Sequence, residues 1–135
     1  MKSREELIKD FHQAFGQNVC AEPTVELLEL RRTLIGEEVK ELFADIDTAI
    51  AHLKEGKDVP QEVYANMLKE LADVQVVLSG TSVALKPLQA LEEAFNRVHA
   101  SNMSKLGEDG KPIMRADGKV LKGPNYVPPD LVDLV

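Results

Sequence analysis

Apolar residues recur every three or four positions along most of this chain, the spacing that gathers them on one side of an α-helix. Ser3 followed by Glu5 and Glu6, then Leu7, Ile8, Phe11 and Phe15, predicts a capped short amphipathic helix ending near Gly16. Thr24 is placed to cap a long helix, in which Leu28, Ile35, Val39, Leu42, Ile46, Ile50 and Leu53 keep helical spacing as far as Gly56. Gly36 lies inside it and weakens it locally relative to alanine. Gly56, Asp58 and Pro60 then mark a helix-to-helix turn, with Pro60 suited to the first turn of the next helix, so a helical hairpin is expected. From Gln61 the stripe Val63, Met67, Leu71, Val74 and Leu78 carries a third helix towards Ala84. Pro87 forces an interruption near Leu85 and is expected to open a fourth helix. Leu88, Leu91, Ala94, Phe95 and Val98 form the expected buried side of that helix, which should fade around Asn102 to Ser104.

Beyond Lys105 the periodicity stops. Asp109-Gly110 and Asp117-Gly118 are turn signals flanking two short runs, Pro112 to Arg115 and Lys119 to Lys122, which read as a small hairpin or ordered loop. The tail from Pro124 to Val135, with Pro128 and Pro129, is expected to be extended, packing on a partner chain or staying mobile. The fold class is therefore all-α, a four-helix bundle followed by a short C-terminal β-hairpin or ordered loop. A length of 135 residues suits one domain with a single core. Its helical part runs from about residue 3 to 103, its loop from 104 to 126 and its tail from 127 to 135. Two Tyr and four Phe are the only aromatic rings, so Leu, Val, Ile, Ala and Met must fill the core, as is usual between packed helices.

A net charge of -7 without a long basic tract argues against a nucleic-acid polymer as partner, because phosphate backbones demand a continuous cationic footprint. A small anionic substrate is still compatible, since a metal can screen it from local carboxylates. Cys20 is the lone cysteine, which leaves no intramolecular disulfide and no thiolate-rich zinc site, and a reducing cytoplasm is the expected home. Residues 1–10 mix charges of both signs, unlike a secretion signal, and charge breaks every apolar run short of a membrane span.

Candidate chemistry lies in two acidic clusters that interrupt the apolar stripes: Glu37, Glu38 and Glu41 on the second helix, Glu70 and Asp73 on the third. Carboxylates set into an apolar face lose hydration and repel one another unless a cation neutralises them. Glu38 and Glu41 are three residues apart, as are Glu70 and Asp73, so each pair projects from one face of its helix. Counted from the turn at Asp58, Glu41 and Glu70 differ in distance along their helices by only about 7 Å, within reach of a tilted hairpin. All four carboxylates are thus expected to converge. An all-oxygen set suits Mg²⁺, with Mn²⁺ as the substitute, better than zinc or calcium. Glu37, one residue off that face, would reach a further metal or hold an attacking water.

The simpler reading of such clusters is a solvated helix face. Glu70, flanked by Met67 and Val74 on one stripe, and Glu38, beside Leu34 and Leu42, argue against it. His12, His52 and His99 have no partner spacing that suggests a nucleophile or zinc ligand, which leaves water as the nucleophile.

Glu37-Glu38-x-x-Glu41 followed by Glu70-x-x-Asp73 resembles the signature of the MazG-like, all-α nucleoside triphosphate pyrophosphohydrolases. The later run His99-x-x-Asn102-Met103-Ser104-Lys105, with Gly107, Asp109-Gly110 and the closing Lys122-Gly123-Pro124-Asn125-Tyr126, is similar to the branch holding dimeric MazG-like dUTPases and phosphoribosyl-ATP pyrophosphohydrolase-like proteins. The resemblance covers most of the chain and is weakest before Thr24 and after Tyr126. It implies Mg²⁺-dependent cleavage of a nucleoside triphosphate between the α and β phosphates, giving monophosphate and pyrophosphate. By the same resemblance Glu38, Glu41, Glu70 and Asp73 hold metal, and Glu37 serves a further metal or the attacking water.

Asn102, Lys105, Lys122, Asn125 and Tyr126 match the stretch that would contact the nucleotide. Their chemistry suits that contact, since the lysines donate to phosphate oxygens, the asparagines read polar edges and the tyrosine stacks. A plain surface loop is the alternative. Relatives complete the site with a second subunit, so a homodimer is expected, with a higher oligomer as the variant. The favoured substrate is dUTP or another non-standard or surplus deoxynucleotide; a dCTP-cleaving or broad-range house-cleaning enzyme is the nearest alternative. A phosphoribosyl-ATP substrate is less attractive, because a shared fold and metal motif do not fix the substrate. A different class of reading is a non-catalytic helical dimer or interaction module stabilised by metal.

Overall fold

Two long helices laid antiparallel form the spine of the chain in a computed structural model that describes residues 1–135. The four helices are α1 (Arg4–Ala14), α2 (Val25–Lys54), α3 (Gln61–Ala84) and α4 (Leu91–Met103); an antiparallel pair, β1 (Ile113–Met114) and β2 (Val120–Leu121), follows them. The all-α, four-helix architecture with a C-terminal hairpin is as the periodicity predicts. No helix is long and apolar enough to cross a membrane. The chain divides into two units, Met1–Gln89 and Ala90–Val135.

In the first unit, local sequence sets the helix ends. The Ser3 hydroxyl accepts from the Glu6 amide at 3.2 Å while the Glu6 carboxylate accepts from the Ser3 amide at 2.6 Å, closing a reciprocal cap on α1. Thr24 Oγ1 accepts from the Leu27 amide at 3.1 Å and starts α2. The turn through Gly56 reverses the chain so that α2 packs along α3, and α1 packs on α3 as well. A strap just before α2 ties this unit together: Ala21 pairs in parallel with Leu85, the Ala21 amide donating to Ala84 and the Lys86 amide to Ala21, each at 2.8 Å. Leu27, Ala84 and Leu85 form the buried core beneath it, with Ala21 against them.

Pro87 does not open the fourth helix. It sits in a single 3-10 turn, Lys86–Leu88, and α4 begins only at Leu91. The reason is the strap and a side chain. Leu85 is extended where it pairs with Ala21, and the Gln89 amide turns back to donate to the carbonyls of Ser82, Val83 and Leu85 at 2.8, 3.2 and 2.8 Å. Ser82 and Val83 lie in the last turn of α3, where carbonyls lack α-helical partners, so Gln89 caps α3 instead of continuing a new helix.

In the second unit the expected buried side of α4 is also corrected. Leu88 lies outside the helix, Phe95 is 70% exposed and Val98 is exposed. Leu91 and Ala94 are half-buried as expected, and the inward face continues through the polar residues Arg97 and Ser101 rather than through Phe95 and Val98. Ser101 Oγ donates to the Val127 carbonyl at 2.7 Å, and Arg97 donates to the Asp130 carbonyl at 3.0 Å and to both oxygens of Asp133 at 2.6 and 3.0 Å. The tail therefore folds onto its own α4 and ends in a 3-10 turn, Val132–Leu134.

Candidate metal centre

The face of α2 that meets α3 is not purely apolar. Buried or half-buried positions on α2 include Leu27, Arg31, Leu34, Glu38, Leu42, Asp45 and Ala49, and on α3 they include Val63, Met67, Glu70, Asp73, Val74 and Val77. Two helices with matching three- and four-residue steps bring their carboxylates to one level. Glu38, Glu41 and Glu70 can each present one oxygen such that all three lie within 4.8 Å of one another. Asp73 stands outside that set, and Glu37 is exposed on the same turn as Glu38.

Glu70 is only 8% exposed, and its Oε2, like Oε2 of Glu38, is buried without any hydrogen-bond partner. Ionised, these two oxygens are orphaned acceptors, an arrangement that costs about 1–3 kcal/mol or more for each unsatisfied group. Either a proton shared between them or a cation must answer that deficit. The Glu38 carboxyl is pushed up to about 7, first by desolvation, then by the hydrogen bond its protonated form shares with Glu70, and then by repulsion from Glu41, Asp73 and Glu70. A hard divalent cation with all-oxygen coordination fits these residues, which include no imidazole and no thiolate.

Lys69 is a participant that the acidic spacing does not reveal. Its Nζ donates to Asp73 Oδ2 at 2.6 Å and to Glu70 Oε1 at 3.4 Å, and both carboxylates hold the ammonium well above its ordinary range. The signal is present in the sequence as a Lys69-to-Asp73 spacing of four on a helix.

Arg31 escapes sequence reasoning for another reason: nothing local marks it as buried. It is 5% exposed, donating to the Val77 carbonyl at 3.0 Å and to Thr81 Oγ1 at 3.1 Å, and burial lowers its pKa. Glycine at position 80 makes that possible, since a Cβ there would sit 2.5 Å from Arg31 Nη2 and 3.1 Å from His12 Nε2. His12 is itself buried, its Nδ1 2.7 Å from the Asn18 carbonyl oxygen, a structural role.

The residues expected to contact a nucleotide lie in the second unit. Asn102 is in the last turn of α4, Lys105 just after it, and Lys122, Asn125 and Tyr126 follow β2. The Gly123 amide donates to the Lys105 carbonyl at 2.8 Å, and Lys122 Nζ lies 4.9 Å from the centre of the Tyr126 ring. Lys105, Lys122 and Tyr126 are thereby held in one small loop cluster, in which Lys105 and Tyr126 are half-buried, while Lys122, Asn102 and Asn125 are exposed. No family model matches this chain, and no curated protein matches it either.

Proposed function

We propose that this protein is a Mg²⁺-dependent nucleoside triphosphate pyrophosphohydrolase that cleaves between the α and β phosphates, with dUTP or another non-standard or surplus deoxynucleotide favoured as substrate. The observation that carries the reading is the set Glu38, Glu41 and Glu70 on two antiparallel helices, with two buried carboxylate oxygens that lack any donor. When bound, the divalent ion supplies charge neutralisation on the phosphates and acidifies water towards hydroxide. Glu38, Glu41 and Glu70 hold and orient it, and Asp73 adds negative charge at the edge of the set. Glu37, exposed on the neighbouring position of α2, accepts a proton from the attacking water. The ammoniums of Lys105 and Lys122 bind phosphate oxygens, and the Tyr126 ring stacks on the base. The resemblance of the acidic motif and of the Asn102-to-Tyr126 stretch to the MazG-like dUTPase branch supports the same assignment.

A homodimer is part of this reading. Within the first unit, Leu7, Leu68, Leu71 and Val76 line an open groove of about 480 Å³ between α1 and α3, and Leu68 is 70% exposed. A second copy would cover such a surface.

The testing experiment is pyrophosphate release from a panel of nucleoside and deoxynucleoside triphosphates, with and without Mg²⁺, resolving monophosphate from diphosphate. Metal-dependent monophosphate plus pyrophosphate is the expected result. No turnover across the panel would favour the metal-stabilised, non-catalytic helical dimer, which the exposed apolar surface also suits.

A further inference from the structure

The four carboxylates nearest the centre are not neutralised alike. Glu38 Oε2 and Glu70 Oε2 are buried and receive nothing, whereas Asp73 Oδ2 and Glu70 Oε1 already face the Lys69 ammonium, at 2.6 and 3.4 Å. Glu70 thus divides its two oxygens between an ammonium and an unanswered position. Glu38, Glu41 and Glu70 can gather their oxygens within 4.8 Å, and Asp73 is left out of that set. A second divalent ion using Asp73 would need close oxygen contacts of about 2.1 Å and would have to expel the ammonium. Repulsion between that ion and a first one nearby opposes the exchange.

We propose that the centre takes a single divalent cation, held by Glu38, Glu41 and Glu70, and that Lys69, through Asp73, fills the position a second cation would occupy. This rests on the metal-centre reading above and fixes its stoichiometry. Lys69 acts as a tethered monovalent substitute: it neutralises Asp73 without supplying a coordination site, and so limits the charge brought to the hairpin. Its side chain is 68% exposed, so its removal leaves no cavity and does not threaten the fold.

The test is a Mn²⁺ titration of the intact protein, following free Mn²⁺ by electron paramagnetic resonance, for the wild type, Lys69→Ala and Lys69→Arg, with Glu38→Gln as the ligand control. The expected result is one Mn²⁺ per chain for the wild type and Lys69→Arg, two for Lys69→Ala, and at least about a tenfold loss of affinity for Glu38→Gln. Two ions per chain in the wild type overturns the proposal, as does one ion in both wild type and Lys69→Ala; the latter would make Lys69 an ordinary helix-surface ion pair. No Mn²⁺ binding by the wild type removes the metal centre itself and this inference with it, a separate readout from a wrong stoichiometry.

Discussion

Glu38 on α2 and Glu70 on α3 approach each other across the helical hairpin, each with its Oε2 buried and no donor to meet it. That juxtaposition links protonation, metal binding and stability. The Glu38 pKa in the folded chain, about 7, lies above the ordinary 4.5 of a glutamate. Between those two values the folded state retains a proton that the unfolded chain has released, so metal-free stability falls as pH rises through that window. A divalent cation held by the ionised site would stabilise the fold increasingly as the proton leaves. Thermal melting without metal is therefore expected to drop by several degrees between about pH 5 and pH 8. Added Mg²⁺ should shrink or reverse the drop, and Glu38→Gln should flatten the metal-free profile. A metal-free wild-type profile that rises over this range, unchanged in Glu38→Gln, would refute the coupling.

Glu70→Gln separates catalysis from structure. The substitution keeps the side chain's shape but removes the charge of a buried carboxylate in the proposed metal set, and it also relieves repulsion with Glu38. Pyrophosphohydrolysis is expected to fall by at least about 100-fold, with metal-free melting unchanged or raised. A metal that serves only structure gives the opposite pattern, a lost Mg²⁺-dependent gain in melting temperature with no turnover to lose. Both quantities come from the same preparation, by a pyrophosphate assay and calorimetry.

Gly80→Ala probes the buried guanidinium. The added methyl would meet Arg31 Nη2 at 2.5 Å, and Arg31 is not free to swing away because Val77 and Thr81 hold it. A loss of about 1–3 kcal/mol in urea unfolding is expected. In an Arg31→Met background the clash is relieved and the penalty of Gly80→Ala should shrink, giving a measurable coupling energy. Equal penalties in the two backgrounds would show that Arg31 is not what glycine accommodates.

Much of this architecture is legible in the sequence because helices write their period and their ends into it. Ser3 and Thr24 mark the starts of α1 and α2, and helical spacing is enough to bring the carboxylates of Glu38, Glu41 and Glu70 to one level, although the fourth expected there, Asp73, pairs with Lys69 outside that set. The phase of each face is harder to read. On α3 the repeat Val63, Met67, Leu71, Val74, Leu78 is a fair description of a helix, yet Glu70 and Val77 are buried while Leu71 and Leu78 are exposed. On α2, likewise, Leu27 is inside and Leu28 outside. Helices with apolar residues on more than one side do not announce which side meets the chain's own partner helix. The start of α4 is illegible because it depends on Gln89 reaching back to carbonyls of α3, a contact no local rule contains. Arg31 is hidden in the same way, since its burial depends on Gly80, far along the chain on another helix.

Gly123→Ala isolates the loop cluster from the metal centre. A Cβ at this position would lie 2.3 Å from the Leu106 carbonyl oxygen and 2.7 Å from that of Lys105. Both obstacles are backbone, so the loop itself must move, breaking the 2.8 Å bond from the Gly123 amide to Lys105. Lys122 and Tyr126 would then leave their positions beside the end of α4. Since Glu38, Glu41 and Glu70, the carboxylates of the proposed metal set, all lie outside this unit, Mn²⁺ affinity is expected to stay at the wild-type value. The KM for the favoured triphosphate should rise by about tenfold or more, equivalent to losing roughly 1.4 kcal/mol of binding. The two titrations, metal alone and triphosphate with metal, distinguish the alternatives. An unchanged KM would reduce Lys105, Lys122 and Tyr126 to an ordinary surface loop, whereas a fall in Mn²⁺ affinity would mean that the second unit helps to build the metal centre.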